Sequence, residues 1–153
     1  MTVLDDRPAV PAQAAPAEPR TWSFVDRVTG ERRPVTCMPG CASDHAGDVA
    51  SPTHPDDICC ARHLDDITLP INVNGDPEEF RVMGMMMNVN PFDRQVSQRL
   101  PHIDLEVVDD HWIEGLDPDG FETVINTLQA RLEKMRAVHA ELVRVRAEYR
   151  AAH

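Results

Sequence analysis

Residues 37–63 read CMPGCASDHAGDVASPTHPDDICCARH. This stretch holds all four cysteines of the chain and three of its seven histidines, so it supplies seven potential metal ligands: Cys37, Cys41, His45, His54, Cys59, Cys60 and His63. Thiolate and imidazole are the ligands that Zn2+ prefers, usually four in a tetrahedron that includes closely spaced cysteine pairs. Cys37 and Cys41 have such a spacing, and Pro39 and Gly40 permit a tight turn between them. The stretch therefore predicts a structural zinc site.

Other roles for these cysteines depend on the compartment. Disulfide bonds need an oxidising environment. Residues 1–20 contain no apolar segment of a signal peptide, and no stretch of the chain approaches the roughly 20 apolar residues that span a membrane. We therefore expect a cytoplasmic protein without membrane association, in which reduced thiols favour metal binding. A disulfide or redox pair, a catalytic metal, and no role for most of the seven residues stay open as alternatives.

The distribution of charge limits the partners. The net charge is −11, and residues 41–120 contain 17 acids against four arginines, whereas residues 121–153 contain four acids and six bases. An acidic middle repels a phosphate backbone, which disfavours nucleic-acid binding there. The basic end of the chain is the alternative contact for nucleic acid, through Arg144, Arg146 and Arg150.

Periodicity predicts a small sheet. Weak alternation over residues 22–28, followed by residues 34–36, indicates a short N-terminal hairpin, and residues 67–73 alternate as a strand before the turn signal Asn74-Gly75. Residues 79–89 read as a second strand. In the third strand, Ile103, Leu105 and Val107 face one way, and His102, Asp104 and Glu106 form a wet face. Residues 112–116 read as a short bridge to a helix.

A long C-terminal helix follows. Asp117-Pro118-Asp119 is typical of a helix N-terminus. A heptad seam then extends through Phe121, Ile125, Leu128, Leu132, Met135, His139, Leu142, Arg146 and Tyr149. We expect about 30 helical residues, of which the first half packs on the sheet and the second half projects. Because a heptad seam needs something to bury it, we expect residues 117–150 to bind a protein partner or to form a homodimeric coiled coil; a solvated basic tail is the alternative.

The predicted fold class is therefore α+β, with a zinc-clipped loop, an antiparallel sheet of about three strands plus the N-terminal hairpin, and one long helix. Residues 1–20 are rich in Pro and Ala and lack aromatic side chains, which predicts a disordered tail. We expect a zinc-binding domain over residues 21–135 and a helix extension over residues 136–153.

The chain resembles a family of small actinobacterial proteins of unknown function, which carry a Cys-Pro-x-Trp-Cys-x-x-x-His signature, a later histidine, β-strands and a terminal helix. The matching residues are Cys37, Cys41 and His45 in CMPGCASDHAGD, and LDPDGFETVINTL matches the helix. The chain departs from the signature between the cysteines, where Met38, Pro39 and Gly40 stand. The resemblance spans residues 37–135 and implies the fold and the metal rather than an activity.

The fourth ligand is open among four residues. His63 ranks first because the resemblance places the later histidine just before the first sheet strand. The alternatives, in order, are Cys59, His54 and Cys60. A thiolate deprotonated by the metal is a stronger ligand than an imidazole, but adjacent cysteines seldom bind the same tetrahedral ion.

Three functional hypotheses follow. The first is a non-enzymatic, zinc-stabilised interaction or regulatory module. The second is a zinc hydrolase, which needs an open metal position and a nearby carboxylate base such as Asp44, Asp48, Asp56 or Asp57; the sequence contains no His-Glu-x-x-His arrangement. The third is a nucleic-acid-binding regulator, which the acids around the cluster oppose.

Overall fold

The structure is a computed structural model that describes residues 20–152. Six strands and two helices follow one another: β1 (Thr21–Val25), β2 (Arg32–Thr36), α1 (Ala46–Ala50), β3 (Cys60–Val73), β4 (Asp76–Val89), β5 (His102–Val108), β6 (His111–Leu116) and α2 (Pro118–Ala152). Strands β1 and β2 form an antiparallel hairpin, and the others form a four-stranded antiparallel sheet in the order β3-β4-β5-β6. The predicted α+β class, with its N-terminal hairpin and one long helix, is confirmed. The tail predicted for residues 1–20 lies, except for Arg20, outside the described residues.

A small apolar cluster joins the hairpin to the loop that follows it. Phe24 of β1 and Val35 of β2 pack with Ile58, and Trp22 and Phe92 cover the cluster. The loop is fastened to the edge of β1 because the Thr53 amide donates to the Val25 carbonyl and the Arg27 amide donates to the Thr53 carbonyl, at 3.0 Å in each case. The segment between β2 and β3 is thereby held against the hairpin.

Strand β3 begins earlier than its apolar alternation predicts. Residues 67–73 carry the alternation, but the strand starts at Cys60 and pairs with β4 from there. Bulges lie between His63 and Ile67, where the register shifts twice. These irregular, polar positions hide the strand in the sequence, and its first residue is one of the candidate ligands.

The far end of the β3–β4 hairpin extends beyond the rest of the sheet. Strand β5 pairs with β4 only from Val82 to Asn88, so residues 67–80 form a two-stranded ribbon. Ile67, Leu69 and Ile71 of this ribbon are exposed. Hereafter "the ribbon" means residues 67–80.

Two predictions about the sheet are wrong. Residues 112–116 belong to a fourth strand, β6, rather than to a bridge, and Gly115 breaks their alternation with a φ of 68°. The face predicted to be wet carries two buried side chains, His102 and Glu106. Glu106 forms an ion pair with Arg81. Burial by itself raises the pKa of the Glu106 carboxyl, but the Asp110 amide and the Arg81 guanidinium together outweigh burial and lower that pKa.

Helix α2 begins where the sequence predicts. The Asp117 carboxylate accepts a hydrogen bond from the Gly120 amide at 2.7 Å, which satisfies one of the open donors of the first turn. Among the α2 residues whose burial is described, Gly120, Phe121 and Val124 are half-buried, and the others, including the seam from Ile125 to Leu142, are exposed. The first turns contact the sheet near β6. No helix within residues 20–152 is long and apolar enough to span a membrane.

We predict that Phe24→Ala lowers the free energy of unfolding by about 3–5 kcal/mol, because it opens a cavity in the cluster that fastens the loop to the hairpin. Chemical denaturation monitored by circular dichroism measures the change. Val28→Ala, at an exposed position of the same hairpin, is the control and changes the stability by less than about 0.5 kcal/mol. Equal losses in the two variants would contradict this view of the core.

Candidate metal centre

Four of the seven potential ligands come together. One ligand atom from each of Cys37, Cys41, His45 and Cys60 lies within 4.8 Å of the other three. The Sγ atoms of Cys41 and Cys60 lie 3.7 and 3.9 Å from Nε2 of His45. A tetrahedral zinc ion with ligand distances of about 2.3 Å to sulfur and about 2.0 Å to nitrogen separates such atoms by roughly 3.6 Å. The two sulfur–nitrogen distances are close to this spacing, and the four side chains could hold a metal ion.

A turn of the loop places the first two ligands. The Cys41 amide donates to the Met38 carbonyl at 3.2 Å, with Pro39 and Gly40 at the two central positions. Gly40 has a φ of 76°, and this combination is what a type II turn requires. The turn that the sequence indicates between Cys37 and Cys41 is thus present.

Pairing between the loop and β3 places the fourth ligand. The Ala42 amide donates to the Ala61 carbonyl at 2.8 Å, and the Ala61 amide donates to the Ser43 hydroxyl at 2.9 Å. These two bonds bring the first residues of β3 alongside the segment between Cys41 and His45. Cys60, as the first residue of the strand, is buried with Cys37 and Met38 in an apolar cluster.

The carboxylate of Asp48 orients the imidazole. His45 immediately precedes α1, and its Nδ1 lies 3.1 Å from Oδ2 of Asp48, three residues further on. A carboxylate only accepts, so Nδ1 carries a proton. Nε2 faces the sulfurs, where it donates to a thiolate when the ring is charged and ligates a metal ion when the ring is neutral. Metal-ligating histidines commonly have such a partner. The ring of Trp22 stacks on His45 with centroids 4.3 Å apart, which fixes the plane of the imidazole.

Two further donors point at the sulfurs. Trp22 donates its indole N–H to Sγ of Cys37 at 3.2 Å, and Arg20 donates to Sγ of Cys41 at 3.6 Å. Arg20 also donates to the carbonyl oxygens of Cys41 and Ser43. Both residues thus stabilise negative charge on the sulfurs and hold the loop in place.

The thiols have divergent affinities for protons. Burial raises the pKa of Cys41, but hydrogen bonds from His45, Ser43 and Arg20 together outweigh it and lower the pKa to about 6. For Cys60, burial and then the neighbouring Cys37 and Cys41 raise the pKa to about 12. A negative charge on one of these sulfurs opposes a negative charge on its neighbour, and a cation between them would relieve this repulsion. All four cysteines of the chain are free, so the alternative of a disulfide pair is not what the structure contains.

The other candidates lie outside this group. His54 accepts the Asp56 amide at its Nδ1, 3.2 Å away, at the start of a 3-10 turn. Cys59 is half-buried, and burial, followed by the charge of Asp104, raises the pKa of its thiol. His63 is an exposed residue of β3 whose backbone pairs with Met86. The residue that ranks last from the sequence, Cys60, stands with the three signature ligands.

Sequence reasoning missed Trp22 and Arg20 as parts of the site. Neither has a characteristic spacing from Cys37, and both arrive through the hairpin, in which Thr21 pairs with Thr36 and the Cys37 amide donates to the Arg20 carbonyl at 2.8 Å. The sequence indicates Asp48 only as a candidate catalytic base. Its position three residues after His45, on one turn of helix, is a signal that could have identified it.

The fold and the site define a small α+β protein with a buried Cys3His cluster that could hold a metal ion. Residues 22–144 match the family described as a domain of unknown function, DUF6907, and the chain belongs to that family. The match begins at Trp22 and includes both the hairpin and most of α2. No curated protein and no solved structure matches the chain.

We predict that Asp48→Asn weakens metal binding about 10- to 100-fold, because the amide no longer stabilises the proton on Nδ1 of His45 as a carboxylate does. Competition with a chromophoric chelator measures the affinity. Asp57→Asn is the control, since that acid lies in the same loop but outside the cluster. An unchanged affinity in Asp48→Asn would remove Asp48 from the site.

Proposed function

We propose that this protein is a non-enzymatic interaction module whose fold is stabilised by one structural zinc ion bound to Cys37, Cys41, His45 and Cys60, and which binds a protein partner or a second copy of itself through residues 117–150. The observation that carries the zinc assignment is the buried set of three sulfurs and one imidazole nitrogen within 4.8 Å. Tetrahedral sulfur and nitrogen ligands are typical of zinc, and Cys3His is one of the structural ligand sets.

A structural role is favoured over a catalytic one by the number and burial of the ligands. Four protein ligands complete a tetrahedron, whereas a catalytic zinc site keeps a position for water or substrate. Cys37, His45 and Cys60 are all buried. Asp48, one of the carboxylates that the hydrolase hypothesis requires as a base, bonds to His45 instead.

The charges also fit an ion held for stability. Three thiolates and one divalent cation leave a net charge of −1, which the guanidinium of Arg20 can balance through its bond to Cys41. Metal binding requires deprotonated thiols, and the environment of Cys41 already favours its thiolate. Structural zinc in small modules contributes roughly 10–16 kcal/mol of apparent binding free energy.

The partner assignment is supported by the exposed seam of α2. Met135, Val138 and Leu142 are each more than half exposed, and Leu132 is nearly half exposed. Their spacing places all four side chains on one apolar face of the helix. An apolar stripe of this length on an exposed helix is typical of a surface that another chain covers.

Adjacent cysteines offer a matched test of the ligand set. We predict that Cys60→Ser loses zinc and unfolds at a lower temperature, because it removes a ligand, whereas Cys59→Ser retains one zinc ion and the melting temperature of the wild type. Native mass spectrometry measures the zinc stoichiometry, and differential scanning calorimetry measures the melting temperature. His63→Ala completes the set, and loss of zinc in that variant with retention in Cys60→Ser would assign the fourth ligand to His63.

Cobalt substitution distinguishes a closed site from an open one. We expect the Co2+ form to show the visible bands of a four-coordinate tetrahedral ion with intense sulfur-to-metal charge transfer, and these bands to stay unchanged when azide or cyanide is added at moderate excess. A spectrum that responds to added anions would indicate an exchangeable fourth position, and the hydrolase hypothesis would then replace the structural one.

A further inference from the structure

One face of the ribbon carries a row of apolar side chains, with acidic side chains at the turn end of the hairpin. Paired residues of neighbouring strands face the same side, and Ile67 pairs with Val82, Leu69 with Phe80 and Ile71 with Glu78. Ile67, Leu69 and Ile71 are 49%, 53% and 36% exposed. Asp76 and Glu78 stand on this same face at the tip, whereas Glu79, which pairs with Pro70, stands on the opposite face. Residues 67–80 contain three acids and no base.

No third strand flanks the ribbon within residues 20–152, because β5 pairs with β4 only from Val82 to Asn88. A two-stranded antiparallel ribbon is only marginally stable in water by itself. A row of exposed aliphatic residues on such a ribbon is therefore a surface that a partner would stabilise.

The exposed half of α2 has the complementary character. A shallow notch of about 290 Å3 on its surface is lined by Arg131, Lys134, Met135, Val138, His139 and Leu142. Its floor is apolar and its rim is basic. Residues 131–150 contain six bases and three acids, and one of those acids, Glu148, is paired with Arg144.

The two surfaces match in length but lie apart within one chain. The row from Ile67 to Ile71 extends about 13 Å along a strand, and the row from Met135 to Leu142 extends about 10 Å along a helix. The ribbon is formed by the edge strand β3 with β4, whereas α2 follows β6 at the opposite edge of the sheet. Both apolar rows remain exposed in the single chain.

We propose that the protein forms a two-fold dimer in which the ribbon of each copy lies on the α2 notch of the other. The apolar rows cover one another, and Asp76 and Glu78 lie against Arg131 and Lys134. A two-fold axis makes both contacts identical and closes the assembly. The inference rests on the helix-mediated contact proposed above, and it names the second copy as the partner and the ribbon as the surface that α2 meets.

Pairing of α2 with itself is the less favourable arrangement. In a parallel coiled coil of this seam, His139 and Arg146 meet their own copies at core positions, and Arg131 faces Arg136 of the other helix. The arginine contacts bring like charges together, and the histidine contact places a polar ring in the core, whereas the ribbon brings acids to Arg131 and Lys134.

The single lysine of the chain, Lys134, permits a direct test. A zero-length carbodiimide joins its ammonium to carboxylates that it touches. We expect an equimolar mixture of unlabelled and 15N-labelled protein to yield a mixed-isotope cross-link between Lys134 and Asp76 or Glu78. Mixed-isotope cross-links only to helix acids such as Glu133 or Glu141 would overturn the proposal in favour of helix pairing, and the absence of any mixed-isotope cross-link would also overturn it.

Charge reversal gives an independent readout. Glu78→Lys is expected to raise the dimer dissociation constant about tenfold, and its control Glu79→Lys, on the opposite face, is expected to leave it unchanged. Arg131→Glu is expected to weaken the dimer in the same way, and the chain carrying both Glu78→Lys and Arg131→Glu to recover most of the loss. Sedimentation equilibrium measures the constant. If Arg131→Glu tightens the dimer, helix pairing is the correct arrangement.

The same native mass spectrum separates this proposal from the zinc assignment. A monomer at every concentration that carries one zinc ion overturns the dimer and leaves the zinc site in place. A dimer that carries no zinc would overturn the zinc assignment and leave the dimer in place. Because residue 78 lies far along the hairpin from Cys60, Glu78→Lys is expected to keep its zinc and its circular dichroism spectrum.

Discussion

Three sulfur atoms and one imidazole nitrogen share a buried space less than 5 Å across, and the remaining structure depends on how their charge is balanced. In a medium of low dielectric, each thiolate opposes the ionisation of the next. The pKa values of Cys41 and Cys60 shift in opposite directions for this reason. Hydrogen-bond donors around Cys41 lower the pKa of its thiol, whereas burial and the neighbouring sulfurs raise the pKa of Cys60. A divalent cation among the four atoms would remove the conflict, and Arg20, Trp22 and Asp48 are arranged as its outer partners.

The positions of the four ligands explain why so much depends on them. Cys37 directly follows β2, and Cys41 and His45 lie in the loop between β2 and α1. Cys60 is the first residue of β3. An ion bound to all four would join the hairpin, the loop and the sheet at one point. The apolar cluster around Phe24 contains three buried side chains, which is little for a segment of this length. Small domains with limited cores commonly rely on such a cross-link.

Three of the clustered residues, the α+β class and the start of α2 follow from the sequence, because spacing, strand period and helix capping are local signals. The choice of Cys60 over Cys59 does not. Adjacent residues of an extended chain point to opposite sides, so the choice depends on where β3 starts and how it pairs with β4. That start is hidden by bulged, polar residues between His63 and Ile67. Strand β6 was missed for a similar reason, since Gly115 interrupts its alternation.

Strand β3 connects the metal cluster to the ribbon. Its first residue, Cys60, belongs to the metal cluster, and its second half forms one strand of the ribbon. Fourteen residues of extended chain place these ends roughly 40 Å apart, beyond the screening length of salt in the cell. Charge at the ribbon therefore has little direct influence on the sulfurs. A single strand can thus be fixed at one end by coordination and leave the other end, with its acids and aliphatic side chains, available for contact with a basic helix.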